Sequence, residues 1–352
     1  MKIIRSLIIL LITVQFAFGQ SRAQKIDSIS QIIHNKNPEI AISIGFIDMG
    51  KEYFFNYGKI SRKSELEVNE NTIYEIGSVT KVLTANLLAQ AQDEGKLKTD
   101  DFIDNYLPKE YILSDEIKGK LKISDLASHQ SGLPDFNFIK LMELNPNQPL
   151  DINKEIVHSI INDRTSLLDY GNYHYSNISY VLMGMILENI YAKDFDTLVR
   201  EKILTPAQMA NTLTTDFNVK NKVTGYNTNG TEQEFFNWNS LMVPAGLLKS
   251  NTSDMIKFLK KLLSDEGKIS QATGITEKTY FKNTQREIGF GQEIERNGDD
   301  TFFYKDGDTF SCSSIIAYDK KSDWGIVIMI NQKNPDLIRE LINTNYEQAI
   351  AE

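Results

Sequence analysis

The chain is 352 residues long and acidic, with a formal net charge of −9 at neutral pH, and 41% of its residues are hydrophobic against 20 glycines and 8 prolines. This composition gives a folded chain with a large core, and the charge argues against phosphate-rich partners, as does the lack of any dense basic run with interleaved aromatics, so no nucleic-acid partner is expected. The single cysteine, Cys312, rules out an internal disulfide.

In chain order, the basic start Met1-Lys2-Ile3-Ile4-Arg5 leads into an apolar run from Leu7 to Phe18, followed by Gly19. This is the pattern of a cleavable export signal over residues 1–19. The run is short of the roughly 20 residues that span a bilayer. The expectation is a periplasmic or secreted protein of residues 20–352, with no stable membrane anchor after cleavage.

A helix is predicted over about 22–35, then strands at 40–48 and 52–57 that turn through Met49-Gly50-Lys51. Between Asn71 and Leu213 apolar residues recur mostly at helical spacing, predicting helices at 79–91, 123–127, 152–161 and 178–191. Thr252-Ser253-Asp254 caps a further amphipathic helix that runs to Leu263. Strand patterns return at 301–305, 311–318 and 324–331, and a helix closes the chain from about 335 to 350. Strands at both ends with helices between them predict an α+β fold: one antiparallel sheet lobe from about 20–70 and 285–352, beside a helical lobe from about 71–284.

Three short boxes carry chemistry. Gly77-Ser78-Val79-Thr80-Lys81 opens a predicted helix, and S-x-x-K occurs nowhere else in the chain. Residues three apart on a helix share a face, so the Lys81 amine can reach the Ser78 hydroxyl and act as its base. Tyr175-Ser176-Asn177 stands directly before the helix at 178, where a phenol can relay a proton and an amide can bind a peptide-like group. A second Y-x-N, Tyr170-Gly171-Asn172, lies further out in the preceding loop. Lys305-Asp306-Gly307, the only K-x-G, ends a predicted strand. There a fixed cation and a side-chain-free edge can meet a substrate, although Asp-Gly is also a common hairpin-turn signal.

In that order the three boxes resemble the signature of the serine beta-lactamase and penicillin-binding protein superfamily, S-x-x-K, Y-x-N and K-T-G. Leu126 to Pro134 is similar to the family's L-x-x-H-x-S-G-L-P segment, Ile203 to Met209 to a second segment, and Pro244-Ala245-Gly246-Leu247 to its later G-G-L stretch. The resemblance implies a five-stranded antiparallel sheet flanked by N- and C-terminal helices, with a mostly helical insert lobe. It implies an acyl-enzyme hydrolase of the class C beta-lactamase, DD-peptidase or esterase type, with no cofactor, no metal, and a small-molecule or peptidoglycan-peptide substrate. Ser78 would be the nucleophile, Lys81 and Tyr175 would share the proton transfers, Asn177 would hold the substrate amide and Lys305 would stabilise negative charge. Asp306, Gly307 and Asp308 would line the substrate edge, with the backbone amides of Ser78 and Asp308 as the oxyanion hole. The departure is Asp306, where the family has threonine, which puts negative charge next to the carboxylate of a classical beta-lactam.

Other enzyme classes lack their motifs. No G-x-S-x-G elbow accompanies His34, His129, His158 or His174, and His129 reads as a structural polar group. H-E-x-x-H is absent, and Asp299, Asp300, Asp306 and Asp308 do not have EF-hand spacing. The alternative from another class is a non-hydrolytic penicillin- or peptidoglycan-binding module, in which loss of Ser78 or Lys81 would be expected, and both are present.

Overall fold

The structure, a computed structural model, describes residues 20–350 apart from 138–140, 142–151, 163–166, 168, 215–216 and 236–239. The predicted export signal at 1–19 lies outside the described residues. Among these, no helix is long and apolar enough to cross a membrane.

The strands are β1 (Ile42–Asp48), β2 (Lys51–Tyr57), β3 (Tyr74–Glu75), β4 (Gly225–Tyr226), β5 (Glu232–Gln233), β6 (Lys249–Ser250), β7 (Phe281–Lys282), β8 (Glu287–Ile288), β9 (Glu293–Asn297), β10 (Asp300–Asp308), β11 (Ser313–Asp319) and β12 (Trp324–Ile330). Eight of them form one antiparallel sheet in the order β2-β1-β12-β11-β10-β9-β8-β7. Strands β1 and β12, far apart in sequence, therefore lie side by side near the β2 edge, where Ile42 of β1 pairs with Ile330 of β12.

Alternation sorts each strand between two cores. Ile42, Ile44, Phe46, Ile326, Ile328 and Ile330 pack under the terminal helices Arg22–Lys36 and Pro335–Asn345. Ile47, Ile316, Tyr318, Val327 and Met329 pack towards the helical lobe. Gly45 lets helix Thr252–Leu263 press on that face, since a Cβ there would stand 2.5 Å from Ile256 Cγ1.

The helical lobe surrounds Thr80–Asp93, whose residues Thr80 through Ala91 are all buried. Its polar residues survive burial because each finds a partner. Thr84 Oγ1 donates to Pro244 O at 2.8 Å, and Asn86 Nδ2 donates to Ile269 O at 2.9 Å.

The predicted five strands correspond to β1, β2, β10, β11 and β12, but the sheet has eight. The three extra strands, β7 to β9, are short and charged rather than apolar and alternating. Glu287 in β8 is held by Arg296 at 2.7 Å and Lys282 at 2.6 Å, so ion pairs join this edge where a hydrophobic pattern would have announced it. The hairpin turn of this region sits at Gly298 (φ 61°), between β9 and β10. Lys305-Asp306-Gly307 is consequently extended strand within β10, not a turn.

Candidate active site

Ser78 lies in the 3-10 turn Gly77–Val79, between β3 and helix Thr80–Asp93. Two glycines let β10 lie against this turn. Gly77 has φ 50°, and a Cβ on it would stand 2.9 Å from the Asp308 backbone nitrogen. A Cβ on Gly307 would stand 2.3 Å from Ile76 O and 2.9 Å from the Ser78 nitrogen, so any side chain at 307 collides with the turn. The amides of Ser78 and Asp308 thus both border this glycine-to-glycine contact.

The side chains of the first two boxes converge. The Ser78 hydroxyl is 2.5 Å from the Tyr175 hydroxyl, and Lys81 Nζ donates to Ser78 Oγ at 3.2 Å and to Asn177 Oδ1 at 2.8 Å. Lys81 also donates to the carbonyl of Ala245, in the segment likened to the G-G-L stretch. Lys305 Nζ approaches from the sheet, 5.4 Å from the centre of the Tyr175 ring, and donates to Asp306 Oδ1 at 2.6 Å. Asp308 accepts from the Ser313 hydroxyl. Ser78, Tyr175, Asn177, Ala245, Lys305, Asp306 and Asp308 line a cleft of about 650 Å³, whose walls also include Glu75, Tyr173, Met242, Gly246, Leu247, Arg286, Glu293, Thr309, Phe310 and Lys333. The second Y-x-N is elsewhere: Tyr170 is exposed and donates to Asp125 Oδ2 at 2.8 Å.

Electrostatics follow from burial and the two ammonium groups. Burial lowers the Lys81 amine below its ordinary value, with the Tyr175 oxygen pulling the other way. Burial alone would raise the Tyr175 phenol, but Lys81 and Lys305 outweigh it and hold the phenol below its ordinary value. For Lys305 burial opposes the charge, yet Tyr175 and Asp306 overcome it and keep the ammonium protonated. Burial also pushes against the Asp306 carboxylate, and Lys305 more than offsets it, so Asp306 ionises below the usual range. The Asp308 carboxyl is raised by burial.

Sequence reading missed Asp135. Its carboxylate accepts from the Asn177 nitrogen at 3.1 Å, the Ile178 nitrogen at 3.3 Å and Asn177 Nδ2 at 3.0 Å, so it caps helix Asn177–Tyr191 and orients the Asn177 amide with its oxygen towards Lys81. An aspartate 42 residues before the helix it caps leaves no local signal. Asp135→Ala should lower stability by about 1–2 kcal/mol, measured by denaturant melts, from the lost cap and the unpaired Asn177 amide. Glu75 and Lys249, a buried pair 3.8 Å apart, were also not singled out. His129 is buried with φ 61°. Its Nδ1 accepts from the Ser176 nitrogen at 3.2 Å, and its ring lies 4.5 Å from that of Tyr175. Burial, with Lys81 and Lys305 nearby, keeps it neutral, and it supports the Tyr175 loop as a structural group. Among the described residues, no group of three or more His, Cys, Asp or Glu could hold a metal ion.

Against known proteins, the beta-lactamase family model matches residues 32–350. The chain belongs to the beta-lactamase family. It is 27% identical over 258 residues to a beta-lactamase of Psychrobacter immobilis, covering 72% of this chain and 61% of that protein. It is 24% identical over 337 residues to protein flp of Staphylococcus aureus (strain MW2), covering 90% of this chain and 65% of that one. The chain therefore spans less than two thirds of the length of these relatives. Among solved structures, the beta-lactamase/D-alanine carboxypeptidase from Pseudomonas syringae superposes with a TM-score of 0.81 at 21% identity, covering 93% of this chain and 99% of that one. The octameric penicillin-binding protein homologue from Pyrococcus abyssi gives 0.78 at 22% identity, with 93% and 76% covered. At these identities the structural likenesses carry the fold, and family membership supports a serine-hydrolase type of function.

Proposed function

We propose that this chain is a serine hydrolase that cleaves amide, lactam or ester bonds of small or peptidoglycan-like substrates through an acyl-enzyme on Ser78. The observation that carries the reading is the 2.5 Å contact between the Ser78 and Tyr175 hydroxyls with the Lys81 amine 3.2 Å from the same serine oxygen. A buried base whose phenolate is favoured by two cations takes the serine proton as Oγ attacks the carbonyl carbon. The resulting oxyanion sits between the Ser78 and Asp308 amides. Tyr175 and Lys81 return the proton to the leaving nitrogen or oxygen, and water, deprotonated by the same pair, releases the acyl group. Asn177 holds the substrate amide, and Lys305 favours the Tyr175 phenolate. The start of the sequence supports export with removal of residues 1–19, giving a periplasmic or secreted enzyme.

The experiment is a hydrolysis panel of a chromogenic cephalosporin, a D-Ala-D-Ala peptide, a D-amino-acid amide and a short-chain nitrophenyl ester, followed across pH with the best substrate. At least one should be turned over, and no turnover of any would count against the reading. Because the base works deprotonated, kcat/KM should rise with pH along a limb whose midpoint lies below the ordinary phenol value of about 10. Replacing Lys305 with methionine removes one of the two cations that lower the Tyr175 phenol, and the limb should move to higher pH. A limb that stays in place would show that Tyr175 is not the group titrating.

A further inference from the structure

The way Lys305 is engaged bears on substrate choice, and the argument rests on the hydrolase reading above. Strand β9 pairs with β10 only from Asp300 to Tyr304, so Lys305 to Asp308 form a stretch of edge that β9 leaves uncovered, beside Ser78. A substrate in the cleft meets this edge. The Lys305 side chain is only 8% exposed and its ammonium is held by Asp306 at 2.6 Å, whereas the Asp306 side chain is 55% exposed. What the edge presents to an incoming molecule is therefore the carboxylate of the pair and not its ammonium. Asp308 follows two residues on, along the same side of the strand, and Glu293 lines the same cleft. Two further cations line the cleft, each engaged with a neighbour. Arg286 pairs with Glu293 at 3.4 Å and lies over the Tyr173 ring at 4.3 Å, while Lys333 lies over the Phe310 ring at 5.7 Å.

We infer that the cleft selects against acyl donors with a carboxylate next to the scissile bond and takes those that are neutral or cationic there, with Asp306 as the specificity-determining residue. Two like charges brought together in a partly dry cleft repel more strongly than in water. Lys305 holds Asp306 ionised throughout the neutral range, so the repulsion does not fade near pH 7. Removing the Asp306 charge also releases Lys305 to meet an anion, and both effects then act in the same direction.

The test uses a matched pair, a chromogenic cephalosporin and the methyl ester of its carboxylate, on wild type, Asp306→Asn and Asp306→Thr. Each is measured as a substrate, or, where turnover is slow, as a competitor of Ser78 labelling by a neutral fluorophosphonate. Wild type should react faster with the methyl ester. Both variants should move the acid-to-ester ratio of kcat/KM, or of protection, towards the acid by about tenfold, the scale of one removed charge contact in a site of intermediate dielectric. Using the ratio cancels any general loss of activity, and two variants guard against one that fails to fold. A wild type that prefers the acid, or a ratio within about threefold of wild type in both variants, overturns the inference. Absence of fluorophosphonate labelling at Ser78 would overturn the hydrolase reading and this inference together. That outcome is distinct from normal labelling with an unmoved ratio.

Discussion

Ser78→Ala should reduce turnover of every substrate the wild-type protein cleaves by about 10³-fold or more, because no other group can form the acyl bond and members of a catalytic unit do not substitute for one another. The fold should survive the change. The Ser78 hydroxyl bonds to the Tyr175 hydroxyl and Lys81, both of which keep other neighbours. The expected stability loss is below about 1 kcal/mol, less than for a true cap. Kinetics and a thermal melt on the same preparation check both halves, and an alanine variant that keeps more than a few per cent of the rate would remove Ser78 from the mechanism.

Lys81→Met should cost about 10²- to 10⁴-fold in kcat/KM, the usual range for loss of a positioned acid–base group. Two effects add. The ammonium that hydrogen-bonds the Ser78 oxygen is gone, and with it the first of the two cations that lower the Tyr175 phenol, which moves the active form to higher pH. On stability the effects oppose each other. Lys81 is fully buried, and replacing a buried charge with an apolar group of similar length removes a desolvation penalty. The Asn177 amide oxygen and the Ala245 carbonyl lose a donor at a cost of about 1–3 kcal/mol together. The net change should stay within about 2 kcal/mol, so activity and stability separate cleanly. A variant retaining most of the wild-type rate would show that Tyr175 alone suffices.

These two residues were readable because S-x-x-K is a local pattern: two residues three apart on one helix face need no tertiary knowledge. The long strands were readable for a similar reason, since β1, β11 and β12 are rich in apolar residues and buried on both faces apart from Asp48 at the end of β1. The parts that escaped depend on contacts far apart in sequence or on charge. Strands β7 to β9 are tied together by Glu287, Arg296 and Lys282 rather than by alternation. Asp135 acts through a helix start 42 residues away. The strand predicted to end at Lys305 runs on to Asp308, an extension that Asp-Gly, equally a turn signal, concealed. Gly307 lies against the Ile76 carbonyl, a contact invisible without the fold. Similarly, the sequence put an acidic residue at 306 but not the exchange of exposure that leaves its carboxylate outward and Lys305 inward.

The central claim is that Ser78 is an activated nucleophile. Intact-protein mass spectrometry after incubation with a fluorophosphonate, followed by peptide mapping, addresses it directly. The account predicts a single stoichiometric adduct on the peptide carrying Ser78, formed faster as pH rises and absent in Ser78→Ala. An unmodified protein, or an adduct that persists in Ser78→Ala, would contradict it.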